Sequence, residues 1–313
     1  MDFVGKRRWF LLSSLVVIVI GIASMLVPPG FRVGTEFTSG SALTITFVQP
    51  VEQDIVREAL TALGHGQAVV QKLGDLGFMI RTRTLEEAGP DAESLSERRR
   101  IEDRLSQIET IETSELFAVS PVVARETVRN AGIASGFAAV AILFYITWAF
   151  RRVPNPFRMG TAAIMAAIHD VLIVLGLFSI MGKFINIEIN AMFITGILTV
   201  VGYSVHDTIV VFDRIRENTA RRVSRDLETT INISIMETLG RSLTTSFTTM
   251  TVVVALLLLG GPTIQSLLFT LFFGVLTGTY SSIFIASQIL VVWEKGEWRR
   301  LLRGGVAPAK TQG

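Results

Sequence analysis

Six stretches of this chain are each apolar over enough residues to cross about 30 Å of hydrocarbon at about 1.5 Å of helical rise per residue. They run Trp9–Val27, Ala131–Phe150, Met159–Met181, Ile189–Phe212, Thr238–Leu259 and Pro262–Trp293. Hydrophobic residues make up 50% of the 313 and charged residues 18%, and the mean hydropathy is +0.51. An ordinary soluble globular protein is thereby excluded. The predicted fold class is a polytopic α-helical membrane protein with six transmembrane helices and one soluble insert between helices 1 and 2. With no cysteine, disulfide frameworks, thiolate metal sites and cysteine nucleophiles are excluded as well.

The first span follows Lys6-Arg7-Arg8 and is closed by Pro28-Pro29-Gly30, which stops a helix. Its nineteen residues exceed the ~7–15 of a cleavable signal peptide's apolar core, so it is expected to stay as an anchor. Lys and Arg collect on one side of the spans: Lys6, Arg7, Arg8, Arg151, Arg152, Arg158, Arg214, Arg216, Arg221, Arg222, Arg225, Lys295, Arg299, Arg300 and Arg303, against Lys183 in the opposite short loops. The positive-inside rule then puts both termini in the cytoplasm and the insert outside it. The expected segments are 1–29 (cytoplasmic N-terminus and helix 1), 30–130 (exported domain), 131–293 (helices 2–6) and 294–313 (basic cytoplasmic tail).

The insert carries 11 Lys/Arg against 16 Asp/Glu, so a net of +2 for the whole chain divides into −5 for the insert and +7 for the rest. An acidic exported domain is a poor partner for nucleic acid, and the basic loops read as topology signals beside anionic membrane lipid. Within the insert, Ala42–Val48 alternates like a strand, and Pro50 opens a helix whose Val51, Ile55, Ala59 and Leu63 share a face. Val69-Val70 and Phe78–Arg83 are strands about a Gly74–Gly77 turn, Ser94–Ile108 is a helix with apolar Leu95, Ile101, Leu105 and Ile108, and Glu115–Val119 is a last strand. This order predicts a small α+β ferredoxin-like domain. His65, between Gly64 and Gly66, reads as a turn residue, and no metal is expected.

Charges inside the spans are the informative residues. An ionised side chain near the middle of a membrane helix costs at least ~2.5–3.5 kcal/mol on insertion scales, so its presence points to an ion path or a buried pair. Three stand there: Asp170, Asp207 and Arg241. Asp207 lies roughly 8 Å inside the cytoplasmic end of its span and Arg241 roughly 5 Å inside the next, antiparallel one. If these helices pack, the arginine favours the aspartate anion while exclusion of water favours the protonated acid. A carboxylate balanced between those terms exchanges its proton with a small movement, so Asp207 and Arg241 are the expected proton relay. Ser242, Thr244, Thr245, Ser246, Thr248, Thr249 and Thr251 crowd the same stretch. Thr244, Thr245 and Thr248 are expected beside the pair, able to glue helices or hold a file of water. Gly196, Gly202 and Ser204 are small enough for close helix approach. His169-Asp170, near the midplane, is open between a buried structural pair and a part in proton movement. His206, turned about 100° from Asp207, is expected to support rather than carry the relay. Asp213, Arg214 and Arg216 read as an interfacial network. The chain has no P-loop, Gly-x-Ser-x-Gly or His-x-x-x-His, so neither an ATP-driven pump nor a hydrolase is expected, and no cofactor.

The run Gly202-Tyr203-Ser204-Val205-His206-Asp207-Thr208-Ile209-Val210-Val211-Phe212-Asp213-Arg214-Ile215-Arg216-Glu217-Asn218 strongly resembles the signature of the SecF family of the bacterial protein-export machinery. Ile231–Ile235, Thr238-Leu239, Arg241–Ser246 and Leu259–Gly261 resemble that family's next span. The resemblance implies a membrane half of the RND type that pairs with SecD in the bacterial inner membrane and assists the SecYEG channel, with YajC as a further partner. Proton motive force would help draw unfolded preproteins outward after the SecA step. It also implies that Asp207 is the proton-linked aspartate and Arg241 its partner, and it adds weight to His169-Asp170. One departure is Gly34-Thr35-Glu36-Phe37-Thr38-Ser39-Gly40, where the family usually has Gly-Ile-Asp-Phe-Thr-Gly-Gly. Ser39 in place of glycine is expected to stiffen the joint. The competing reading is an RND-like proton-coupled exporter half for a small molecule or lipid, which the few, well-separated aromatics of the insert do not favour. A purely structural scaffold leaves the buried charges unexplained.

Overall fold

The structure, a computed structural model, describes residues 2–85, 96–151 and 155–296. Arg152, Ser94, Leu95 and the expected basic tail beyond Gly296 lie outside the described residues. In chain order come α1 (Arg7–Leu26), α2 (Thr35–Thr38), β1 (Gly40–Phe47), α3 (Gln53–Ala62), β2 (Val69–Leu73), β3 (Gly77–Thr82), α4 (Glu97–Ser106), β4 (Ile111–Val119), α5 (Pro121–Ala149), α6 (Pro156–Phe184), α7 (Ala191–Ala220) and α8 (Leu227–Leu259). A 3-10 turn at Pro262–Ile264 leads to α9 (Gln265–Ser281), a π-helical turn (Ser282–Ala286) and α10 (Ser287–Glu294). Six of the described helices are long and apolar enough to cross a membrane: α1, α5, α6, α7, α8 and the α9–α10 run. The fifth starts eleven residues before the expected Thr238, because Asp226 caps it by accepting from the Thr229 N–H at 3.0 Å. The surplus of the last apolar run is taken up by the 3-10 turn and the wider π turn.

The chain forms two compact units. One comprises Phe31–Ala134 together with Met181–Ile194. Its sheet has the order β2-β3-β1-β4, antiparallel throughout. Leu43, Ile45 and Phe47 alternate along β1 and enter one core with Val56, Ala59 and Leu60 of α3 and Ile101 and Leu105 of α4. The expected face of α3 needs correction. Ile55 is 43% exposed, and the core stripe is Val56, Ala59 and Leu60, at the three- and four-residue spacing of one helix side. Ser96 caps α4 by accepting from the Arg99 N–H. His65 is buried, its Nδ1 3.0 Å from Thr82 Oγ1. Ser39 adopts φ 66° and ψ 165°, a region that glycine occupies without steric cost. Residues 185–190 also belong to this unit: Ile189 bridges Val33 in parallel, its N–H donating to Arg32 O and its carbonyl accepting from the Gly34 N–H, both at 2.8 Å.

The other unit contains the described residues within Met1–Gly30, Ser135–Ile180 and Thr195–Gly313. Its core draws Met159, Ala162, Ala163, Ala166 and Ala167 from α6, Val205, Val211, Phe212 and Ile215 from α7, Ile231 and Ile235 from α8, and Ile283–Val291 residues from the last span. Small side chains set the spacing. A Cβ on Gly274 of α9 would lie 2.1 Å from Val200 of α7, so only glycine lets these helices meet there. Gly202, expected to admit a neighbour, faces open space instead.

Candidate functional site

Both membrane aspartates are buried, in different settings. Asp170 is wholly inaccessible. The hydroxyls of Ser204 on α7 and Ser281 on α9 both donate to its Oδ2, at 2.6 and 2.7 Å, and His169 Nδ1 lies 2.9 Å from Oδ1. The imidazole stacks on Tyr280, centroids 6.5 Å apart. The next residue, Ser282, donates to Ser204 O at 3.0 Å and sits 2.9 Å from Oγ1 of Thr208, one turn beyond Ser204 on α7. Ser281 ends α9 and Ser282 begins the π turn, whose widened register presents two consecutive hydroxyls to α6 and α7. Three helices are thus pinned on one carboxylate.

Asp207 is held by less. Ser242 of α8 donates to Oδ1 at 2.7 Å, while Oδ2 is buried with no hydrogen-bond partner among the described residues. Ser246, one turn past Ser242, lies 3.0 Å from Tyr203 Oη and 2.5 Å from Thr279 Oγ1. Buried carboxylate oxygens rarely go unpaired. An acid with a free lone-pair face beside hydroxyls can take up or release a proton without dismantling its surroundings.

Arg241 does not meet Asp207. It is exposed, turned about 100° around α8 from the buried Ser242, as adjacent helical residues are. The expected hydroxyl cluster divides for the same reason. Ser234, Thr238, Ser242 and Ser246, four apart, are the buried stripe. Thr244, Thr245 and Thr248 are exposed and donate to the carbonyls of Gly240, Arg241 and Thr245 on their own helix, so they are not placed beside the acid. His206 is exposed next to Asp207. Sequence reasoning valued Ser204 only for its size and passed over Ser281, Ser282, Thr208 and Tyr203. The signal for the serines was a hydroxyl pair in the charge-free run Pro262–Trp293.

At the end of α7 the three expected residues divide: Arg216 pairs with Asp213 at 2.6 Å, whereas Arg214 pairs with Glu217 and, at 2.6 Å, with Glu237 of α8, and Asn218 donates to Glu237 at 2.7 Å and to Ser234 at 3.0 Å. Glu228 joins Arg7 at 3.0 Å to Lys295 at 2.7 Å. Among the described residues no cluster of His and carboxylates could hold a metal ion.

Six apolar helices long enough to span a membrane, two buried aspartates on α6 and α7, and a four-stranded domain inserted after the first helix define a polytopic membrane protein of the SecDF-like fold. Residues 100–296 match the family model described as the C-terminal part of the protein export membrane proteins SecD and SecF. The chain is 42% identical to the protein translocase subunit SecF of Thermobaculum terrenum, covering 97% of each chain. It is 37% identical to the subunit of that name from Anaerolinea thermophila, over 99% of each. The crystal structure of SecDF, a translocon-associated membrane protein from Thermus thermophilus, superposes with a TM-score of 0.79 at 33% identity. That match covers 94% of this chain and 39% of the longer SecDF chain. The chain belongs to the SecF family.

Proposed function

We propose that this chain works as the SecF subunit of the protein-export translocase: together with SecD it uses the proton motive force to assist preproteins across the inner membrane after the SecYEG and SecA step. Its ferredoxin-like domain stands on the exported side, between helices 1 and 2, with both termini cytoplasmic. SecD is the direct partner, which the match to a SecDF chain more than twice as long supports. SecYEG, YajC and the unfolded preprotein complete the assembly, and no catalytic residue or cofactor is assigned.

The observation that carries the reading is the half-satisfied Asp207. Arg241 enters through the helix geometry: Ser242 and Arg241 are successive on α8, so a rotation of about 100° exchanges the hydroxyl for the guanidinium at Asp207. Ser242, a single neutral donor, steadies the anion far less than a guanidinium would, so the exchange changes how firmly the proton is held. A membrane potential of 100 mV is worth ~2.3 kcal/mol per charge moved, enough to drive such an exchange. The test is release of an exported reporter from cells carrying Asp207→Asn at normal membrane level with SecD retained. Release at the level of a deletion strain is expected; unchanged release overturns the assignment.

A further inference from the structure

The contacts that tie residues 185–190 to the sheet domain are denser than a connecting loop needs. Beyond the Val33–Ile189 bridge, Arg81 of β3 and Glu188 form an ion pair whose side chains are 12% and 13% exposed. Arg32 stands close enough to repel Arg81, and burial together with that repulsion brings Arg81 down to about 10. Arg81 therefore remains cationic at neutral pH, and Glu188 is the anion that pairs with it. Removing one member of such a pair strands a charge away from water.

A third contact reaches the helix that carries Asp207. Glu36, in the short α2, accepts from the Ala191 N–H at 2.8 Å through Oε2. Ala191 is the first residue of α7, where a carboxylate accepting from the amide matches the positive end of the helix. The division of the chain agrees: the compact unit built on the sheet takes in the last residues of α6 and the first of α7.

We infer that Glu36, Arg81 and Glu188 are positioning residues of a clamp that makes the sheet domain and the head of α7 move as one piece, so that displacement at either end of α7 is transmitted rather than absorbed in a loop. Flexible loops dissipate displacement; a bridge at Ile189, a largely buried ion pair at Glu188 and a carboxylate cap at Ala191 do not. The inference rests on the proton-driven reading of Asp207 and assigns it a route outward.

The experiment uses the full chain with SecD, carrying Arg81→Glu, Glu188→Arg or the exchange of both, alongside Asp207→Asn. Each is read for reporter export in cells and for proton entry into proteoliposomes. The clamp predicts that either single reversal, at normal membrane level, loses at least nine-tenths of export while proton entry persists, and that the exchange restores at least half. Asp207→Asn is expected to lose both. Normal export from a single reversal overturns the clamp, as does loss of proton entry together with export, which marks the residues as holding the fold only. Where a reversal lowers the membrane level, Glu188→Gln is read at matched level by the same criteria. Amide exchange at Gly34 and Ile189 gives an answer independent of export: protection lost in the singles and regained in the exchange supports the clamp, and unchanged protection overturns it. Normal export from Asp207→Asn sinks the proton reading while leaving the exchange data to judge the clamp alone.

Discussion

Asp170 and Asp207 are alike in sequence, each a lone acid following a histidine in an apolar helix, and they differ in what surrounds them. Asp170 has three hydrogen-bonding side chains from three helix segments and no accessible surface. Asp207 has one hydroxyl, one unpaired oxygen and 7% exposure. A saturated carboxylate fixes helices, because any loss of charge strands its donors; a half-satisfied one has room to change state. The difference teaches that burial of an acid in a membrane is not by itself a sign of ion movement. On the proposed reading of Asp207, the count of partners is what separates an anchor from an exchanger.

The largest effect expected to test that division is on stability. Asp170→Ala leaves three buried polar partners unsatisfied, at about 1–3 kcal/mol each, and should deplete the protein from membranes. Asp207→Ala should cost about 1 kcal/mol, the worth of one hydrogen bond. Thermal unfolding in detergent compares the two, and equal losses would break the distinction. Next in size, Gly274→Ala pushes α9 from α7 and should cost about 1–3 kcal/mol through overpacking, whereas Gly202→Ala, with nothing within 4 Å, should leave the melting temperature in place. Smaller still, Ser281→Ala and Ser242→Ala each delete one donor, for about 1 kcal/mol or less. The first should move only stability, and the second should also shift the pH dependence of export.

The smallest effect lies in the sheet domain, away from either acid, and serves as a control. Burial acts to raise Glu102, but the Ser114 hydroxyl and Arg98 outweigh it and hold the carboxyl below its ordinary value. A carboxyl depressed on folding contributes stability that is present above its unfolded value, about 4.3, and is lost as pH falls through the folded one. Glu102→Gln should therefore flatten the acid sensitivity of amide exchange in α4 and β4 while leaving export unchanged.

Much of this was legible from residues alone. Six spans, the strand and helix order of the insert and the three membrane charges follow from hydropathy and alternation, because those patterns act locally. What was not legible depends on rotation about a helix axis. Arg241 and Ser242 are neighbours in sequence, and only the packing of α8 decides which of them faces Asp207. The four-residue spacing of Ser234, Thr238, Ser242 and Ser246 held the answer, hidden among threonines that bond to their own helix. The π turn that aims Ser281 and Ser282 at α6 and α7 leaves no mark in an uncharged apolar run. The Glu188–Arg81 pair joins residues more than a hundred positions apart, beyond any local pattern.

The most direct test of the division between the acids is a pH titration of the protonated-carboxyl infrared band in the reconstituted protein, comparing wild type with Asp207→Asn and Asp170→Asn. The account predicts a titrating band that Asp207→Asn removes and Asp170→Asn leaves in place. Loss of that band in Asp170→Asn alone would contradict it and would make Asp170 the group that carries the proton.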